Sequence, residues 1–141
     1  MLLLVVIVAI CLGWYVDHKY RYRREIIDSW YYRHGGYRTT LVFRTDGTFT
    51  KTQKGRTVGE SFEGTYKIGD GGGVLNVLKH EEFFYTVNGP DVRASNEMNE
   101  EVFFRWAISN NGYLLIHNLG YSEIADEMRL NREAYQRANA R

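Results

Sequence analysis

The sequence predicts a mainly β protein, an antiparallel up-and-down barrel preceded by one transmembrane helix. Three observations carry that prediction. The head of the chain, Met1 to Val16, has no charged side chain. From Trp30 onward, apolar residues recur at every second position between short turns rich in Gly, Asn and Asp, which is the pattern of strands joined by hairpins. Aromatics make up 15% of the chain, glycines number 14 and there is one proline. That composition suits a twisted sheet with tight turns, because aromatics fit half-buried pleated faces and Gly supplies positive φ. A length of 141 residues leaves room for one domain.

The apolar head comes first. Sixteen helical residues span roughly 24 Å, somewhat short of the roughly 30 Å hydrocarbon core. Trp14, Tyr15, Tyr20 and Tyr22 sit where interfacial aromatics belong. Extending the helix through Tyr20 brings its length close to the span, with Lys19 and the arginines reaching toward headgroups. A cleaved signal peptide has bases before the apolar run and a small-x-small site after it. Here the bases follow, and Ile10-Cys11-Leu12-Gly13-Trp14 offers no such site. Residues 1–20 are therefore expected to be a retained anchor, and 21–27 a basic junction. Lys19, Arg21, Arg23 and Arg24 place the following domain on the cytoplasmic side by the positive-inside rule, the periplasmic or extracellular side being the alternative. Cys11, the lone cysteine, lies in the anchor and forms no internal disulfide.

The net charge of +1 is unevenly spread. Residues 17–24 carry four Lys/Arg against one Asp, leaving 14 basic and 16 acidic residues elsewhere. A nearly neutral domain is not expected to bind nucleic acid.

The remaining elements follow in order. Residues 17–28 continue the helix. Trp30 to Arg33 opens a strand, His34-Gly35-Gly36 turns, and Thr39 to Arg44 alternates with Leu41 and Phe43 on one face. Asp46-Gly47 is a hairpin signal, and Thr48 to Thr52 returns. After Lys54-Gly55-Arg56, Val58 to Ile68 gives a long strand. The Gly69-to-Gly73 run is expected to be a turn, since so many glycines hold a strand poorly. Val74–Leu78 and Glu82–Val87 make the next two strands, Asn88-Gly89-Pro90 turns, and Asp91–Glu101 is expected to be a polar, exposed loop. Val102–Ile108 and Tyr113–His117 form a hairpin. Residues 123–131 are expected to close the barrel, which spans 28–131, and 132–141 to be a charged, frayed helical tail. Closure is motivated physically, because it removes exposed strand edges.

Trp30, then Leu41-x-Phe43-x-x-Asp46-Gly47-Thr48-Phe49, then Gly64-Thr65-Tyr66-x-Ile68 resemble the small bacterial lipocalin-like domains of the calycin group, over residues 28–131. The resemblance implies an up-and-down barrel and a ligand-carrying interior. The usual Gly-x-Trp appears here as Asp28-Ser29-Trp30.

Chemistry is sparse. His18, His34, His80 and His117 are scattered, with no metal-ligand spacing. Glu81-Glu82 and Glu100-Glu101 are neighbours on strands, so each pair points to opposite faces and cannot converge on one substrate. No serine lies in a nucleophile elbow, and no Lys-Ser/Thr follows the glycine run to make a phosphate loop. No catalytic, metal or cofactor residue is expected. Trp30, Tyr32, Phe43, Phe49, Phe62, Tyr66, Phe84, Phe103 and Trp106 are expected to form the core. The reading is a non-catalytic accessory subunit of a membrane complex, its partners integral membrane protein subunits and membrane lipids. Its contacts would come from Leu3, Ile7, Ile10 and Trp14, which share a helix face, from Arg21, Arg23 and Arg24, and from the Asp91–Glu101 loop. The alternative is a tethered carrier of a lipid, pigment or quinone-like apolar ligand. A filled barrel favours the first and an open apolar cavity the second.

Overall fold

The computed structural model describes residues 2–118 and 133–137, with side chains at 4–17, 25–33, 35–117 and 135–137. One helix, α1 (Leu2–Ile26), leads into eight strands: β1 (Ser29–His34), β2 (Tyr37–Phe43), β3 (Thr48–Lys54), β4 (Val58–Gly69), β5 (Gly72–Thr86), β6 (Gly89–Ile108), β7 (Leu114–Asn118) and β8 (Glu133–Arg137). Each strand pairs antiparallel with the next, and β8 returns to β1 to close the barrel. Trp30 pairs with Arg137 and Tyr31 with Gln136 at the seam, where the Tyr31 hydroxyl donates to Gln136 Oε1 at 2.6 Å.

Alternation decides which side chains turn inward. Thr39, Leu41 and Phe43 on β2, and Phe49, Lys51 and Gln53 on β3, are buried. Trp30, Phe43, Phe49 and Tyr66 all lie in the core, as the alternation predicts. Two of the expected core aromatics do not: Phe84 is 42% and Phe103 51% exposed. Phe104, one register position on, is the buried one, because Val102, Phe104 and Trp106 share the inner face of β6.

Three elements differ from the sequence expectation. Residues 74–86 form one strand, since Lys79-His80-Glu81 contains no turn former and goes on pairing with β4 and β6. Asp91–Glu101 belongs to β6: residues 89–97 pair with 79–86 of β5, and shifts in register absorb the irregularity. It stays exposed, as expected of its polarity, but its backbone is committed to the sheet. The closing strand is Glu133–Arg137, inside the stretch expected to be a helical tail; residues 123–131, expected to close the barrel, lie outside the described residues. The glycine run also divides. Asp70 and Gly71 make the turn, while Gly72 and Gly73 enter β5. A Cβ on Gly73 would come within 2.7 Å of the Phe104 ring, so the aromatic covers the bare backbone.

Turns 44–47, 70–71 and 109–113 lie at one end of the barrel, with the entry from α1 and the end of β8. Turns 35–36, 55–57 and 87–88 lie at the other, here the mouth. Ile26, the last residue of α1, is fully buried at the entry end. Along α1 the described side chains from Leu4 to Asp17 are all exposed. Among the described residues, no helix is long and apolar enough to cross a membrane.

Candidate functional site

Two places hold more than packing. The first is the joint between α1 and the barrel. Trp30 is fully buried, and its indole Nε1 donates to the Ile26 carbonyl at 2.9 Å. The Arg137 guanidinium lies 5.0 Å above the Trp30 ring, donates to the Glu25 carbonyl at 3.2 Å and stands 3.6 Å from the Asp28 carboxylate. A side chain of the last strand thus ties down the end of the helix. Carbonyls at a helix C-terminus carry partial negative charge, and a cation there is stabilising. The helix end is held by apolar, hydrogen-bonded and ionic contacts together.

The second place is the mouth. Strand register carries two inward rows across four strands: Leu41, Lys51, Phe62 and His80, then Thr39, Gln53, Glu60 and Glu82. The interior becomes polar toward the mouth. Lys51 is fully buried, and Thr39, Gln53 and His80 are nearly so. His80 stacks flat on Phe62, with centroids 4.3 Å apart, and its Nε2 lies 3.2 Å from Glu60 Oε2. Above these rows a cavity of about 280 Å³ is lined by Tyr37, Gln53, Val58, Glu60, Glu82, Phe84 and Arg93, among others. A second hollow, about 350 Å³, lies at the β1–β2 turn between Arg33, Tyr37 and Arg38.

Electrostatics at the mouth are local. The Lys79 ammonium stands 2.6 Å from Glu81, and this contact raises the lysine pKa and lowers that of the carboxyl. Burial pushes the Tyr85 hydroxyl upward in pKa, and the Lys54 ammonium sits 4.2 Å over its ring. Ser61 is opposite Glu81 in register and so points away from the His80 row. Among the described residues, no group of three His, Cys, Asp or Glu is placed to hold a metal.

The expected contact residues fall on two elements, Asp91–Glu101 in β6 and the rest in α1. Leu3, Ile7, Ile10, Trp14, Arg21, Arg23 and Arg24 are all in α1. Ile7 is 53%, Ile10 65% and Trp14 69% exposed; the side chains of Leu3 and the three arginines lie outside the described residues. Glu81 and Glu82 do diverge, Glu81 toward Lys79 and Glu82 toward the cavity. His117 is exposed on β7. The burial of Lys51 and the His80–Glu60 contact escape a sequence reading. Thr48-Phe-Thr-Lys-Thr-Gln puts Lys51 on the Phe49 face, but a lysine there reads as a strand edge until the barrel closes around it. No family model, curated protein or solved structure matches this chain.

Proposed function

We propose that the chain is a non-catalytic, membrane-tethered subunit, with α1 as a single-pass anchor and the barrel as the part that meets integral membrane partners on the cytoplasmic side. The observation that carries the reading is the state of α1. Its apolar side chains from Leu4 to Val16 are exposed all round, and among its described side chains the buried one is Ile26, at its far end. An apolar cylinder exposed in this way is stable against hydrocarbon or other apolar helices. The helix has 25 residues, about 37 Å, which exceeds the roughly 30 Å hydrocarbon core. The proposal completes its short apolar stretch with interfacial aromatics and with Lys19 and the arginines, whose stems reach headgroups.

The filled barrel supports a subunit over a carrier. Trp30, Phe43, Phe49, Phe62, Phe104 and Tyr135 are among the fully buried side chains that occupy the interior, whereas a carrier of an apolar molecule needs an apolar lumen. The mouth cavity is mixed in polarity, with two carboxylates and a guanidinium. A lipocalin-like relationship is part of the proposal, and the closed antiparallel meander is what supports it.

The test is co-purification from mild detergent. The full chain should come out with other membrane proteins, and a chain lacking residues 1–16 should come out alone and folded, because anchoring raises local concentration and weak barrel contacts then suffice. A full chain that emerges alone and monomeric, carrying a stoichiometric lipid or pigment, would replace the subunit reading with the carrier.

A further inference from the structure

At the mouth end of β1–β3, the outer face of the sheet carries bases and hydroxyls and, among the described residues, no acid. Trp30 and Tyr32 turn inward on β1, Thr39 on β2 and Gln53 on β3, so Arg33, Arg38 and Lys54 point outward. These three stand in one row: Arg33 pairs in register with Arg38, and Arg38 with Lys54. The next outward row, two residues along, holds Thr40 opposite Thr52. Within residues 29–59 the one acid is Asp46, in a turn at the opposite end of the barrel. The outward acids that follow on β4 and β5 are engaged with Lys79: Glu63 pairs with it in register and Glu81 stands 2.6 Å from its ammonium.

The row of bases carries an electrostatic cost. Directly opposed side chains are about 5 Å apart, and like charges at that spacing destabilise a sheet. Among the described residues, no carboxylate is ion-paired with Arg33, Arg38 or Lys54. Arg38 and Lys54 lie over the Tyr31 and Tyr85 rings, contacts that leave their charges unneutralised. Room for a ligand adjoins the row. The hollow of about 350 Å³ at the β1–β2 turn is lined by Arg33 and Arg38 together with Gly35, Gly36 and Tyr37. Both glycines have positive φ, and a Cβ on either would meet nothing within 4 Å, so the backbone there is bare and the space beside it open.

We infer that this face binds a phosphomonoester. The guanidinium groups of Arg33 and Arg38 hold the phosphate, with Lys54 and the Thr40 and Thr52 hydroxyls beside it, and the esterified group occupies the hollow against Tyr37. The ligand class follows from charge and from donors. Three neighbouring positive charges favour a dianion, and a phosphomonoester carries close to two negative charges at neutral pH, its second pKa being about 6. Guanidinium forks and hydroxyls can donate to several oxygens of one tetrahedral group at once. A long polyanion would run off the patch onto the acids of β4 and β5, so the ligand is small. The inference is independent of where α1 lies.

Isothermal titration calorimetry of the full chain in neutral detergent, with phenyl phosphate as the probe, tests it. Ionic strength is held constant so that screening is the same throughout. Saturable binding of one phenyl phosphate per chain is expected, with a dissociation constant below about 10 mM. Arg33→Gln with Arg38→Gln should weaken it by about tenfold or more, and Thr40→Val with Thr52→Val, which leaves the charge unchanged, by about threefold or more. Both variants should keep the circular dichroism of the parent. The arginine variant should melt no earlier than the parent, because it removes like charges from opposed positions. Arg105→Gln, which removes an exposed base from β6, should bind like the parent. Phosphatidic acid added to the micelle separates the two sources of a phosphate: competition with phenyl phosphate assigns the site to a lipid headgroup, and no competition assigns it to a soluble ester. A parent without saturable binding overturns the inference. So does an arginine or threonine variant that binds like the parent, or a loss on Arg105→Gln equal to that of the arginine variant.

Discussion

Trp30 is fully buried, and an indole nitrogen in that position needs an acceptor, which it finds in the Ile26 carbonyl. Trp30→Phe keeps most of the ring and loses the bond, leaving the carbonyl without that donor. A cost of about 1–3 kcal/mol is expected in urea denaturation. Gly64 is constrained more tightly. A Cβ there would stand 1.9 Å from the Asn76 carbonyl oxygen, at the register shift between β4 and β5. Gly64→Ala should destabilise by about 3 kcal/mol, since the clash is with backbone and cannot be relieved by a rotamer. Asp46 accepts from both the Thr48 N–H and hydroxyl, and these bonds hold its carboxyl below the ordinary carboxylate pKa. A depressed pKa stabilises the fold above the unfolded value and loses that contribution as pH falls through the folded one. Asp46→Asn should therefore flatten the fall of the thermal midpoint below about pH 4. Positions of this kind were partly legible. Asp46-Gly47 announces its turn, but the need for glycine at 64 follows from a neighbouring strand that local sequence does not reveal.

At the scale of elements, strand existence was easier to read than strand extent. Short alternating runs such as 39–43 and 48–53 carry their own faces, and both stand as expected. β5 and β6 were harder because their distal halves leave the core, so polar residues replace the apolar alternation while the backbone goes on pairing. β8 is illegible for a related reason. It is five residues long, Tyr135 is the fully buried one among its described side chains, and its strand character comes from the two neighbours it bridges. The structure makes β8 indispensable to closure. A chain ending at Leu130 should lose both seams and fail to show a cooperative thermal transition, whereas one ending at Arg137 should keep it. At the other end, a chain beginning at Glu25 retains Ile26 and should fold like the parent. Starting at Ser29 removes that plug and should cost about 2–4 kcal/mol, comparable to a large-to-small core change.

For the whole molecule, the fold class followed from patterning, whereas the make-up of the mouth required the topology. Glu60, Glu82, His80 and Arg93 are spread over 34 positions of sequence, and antiparallel register brings three of them to adjacent strands. The joint of α1 to the barrel bears most directly on how the molecule works. If α1 lies in a bilayer, the contacts of Trp30 and Arg137 with its last turn set the barrel's entry end toward the membrane and its mouth away from it. Flotation with lipid vesicles tests the central claim. The full chain should rise with the vesicles and stay with them through a high-salt wash, while the chain beginning at Glu25 remains at the bottom of the gradient, folded. A full chain that stays at the bottom as a soluble, folded monomer would contradict the account.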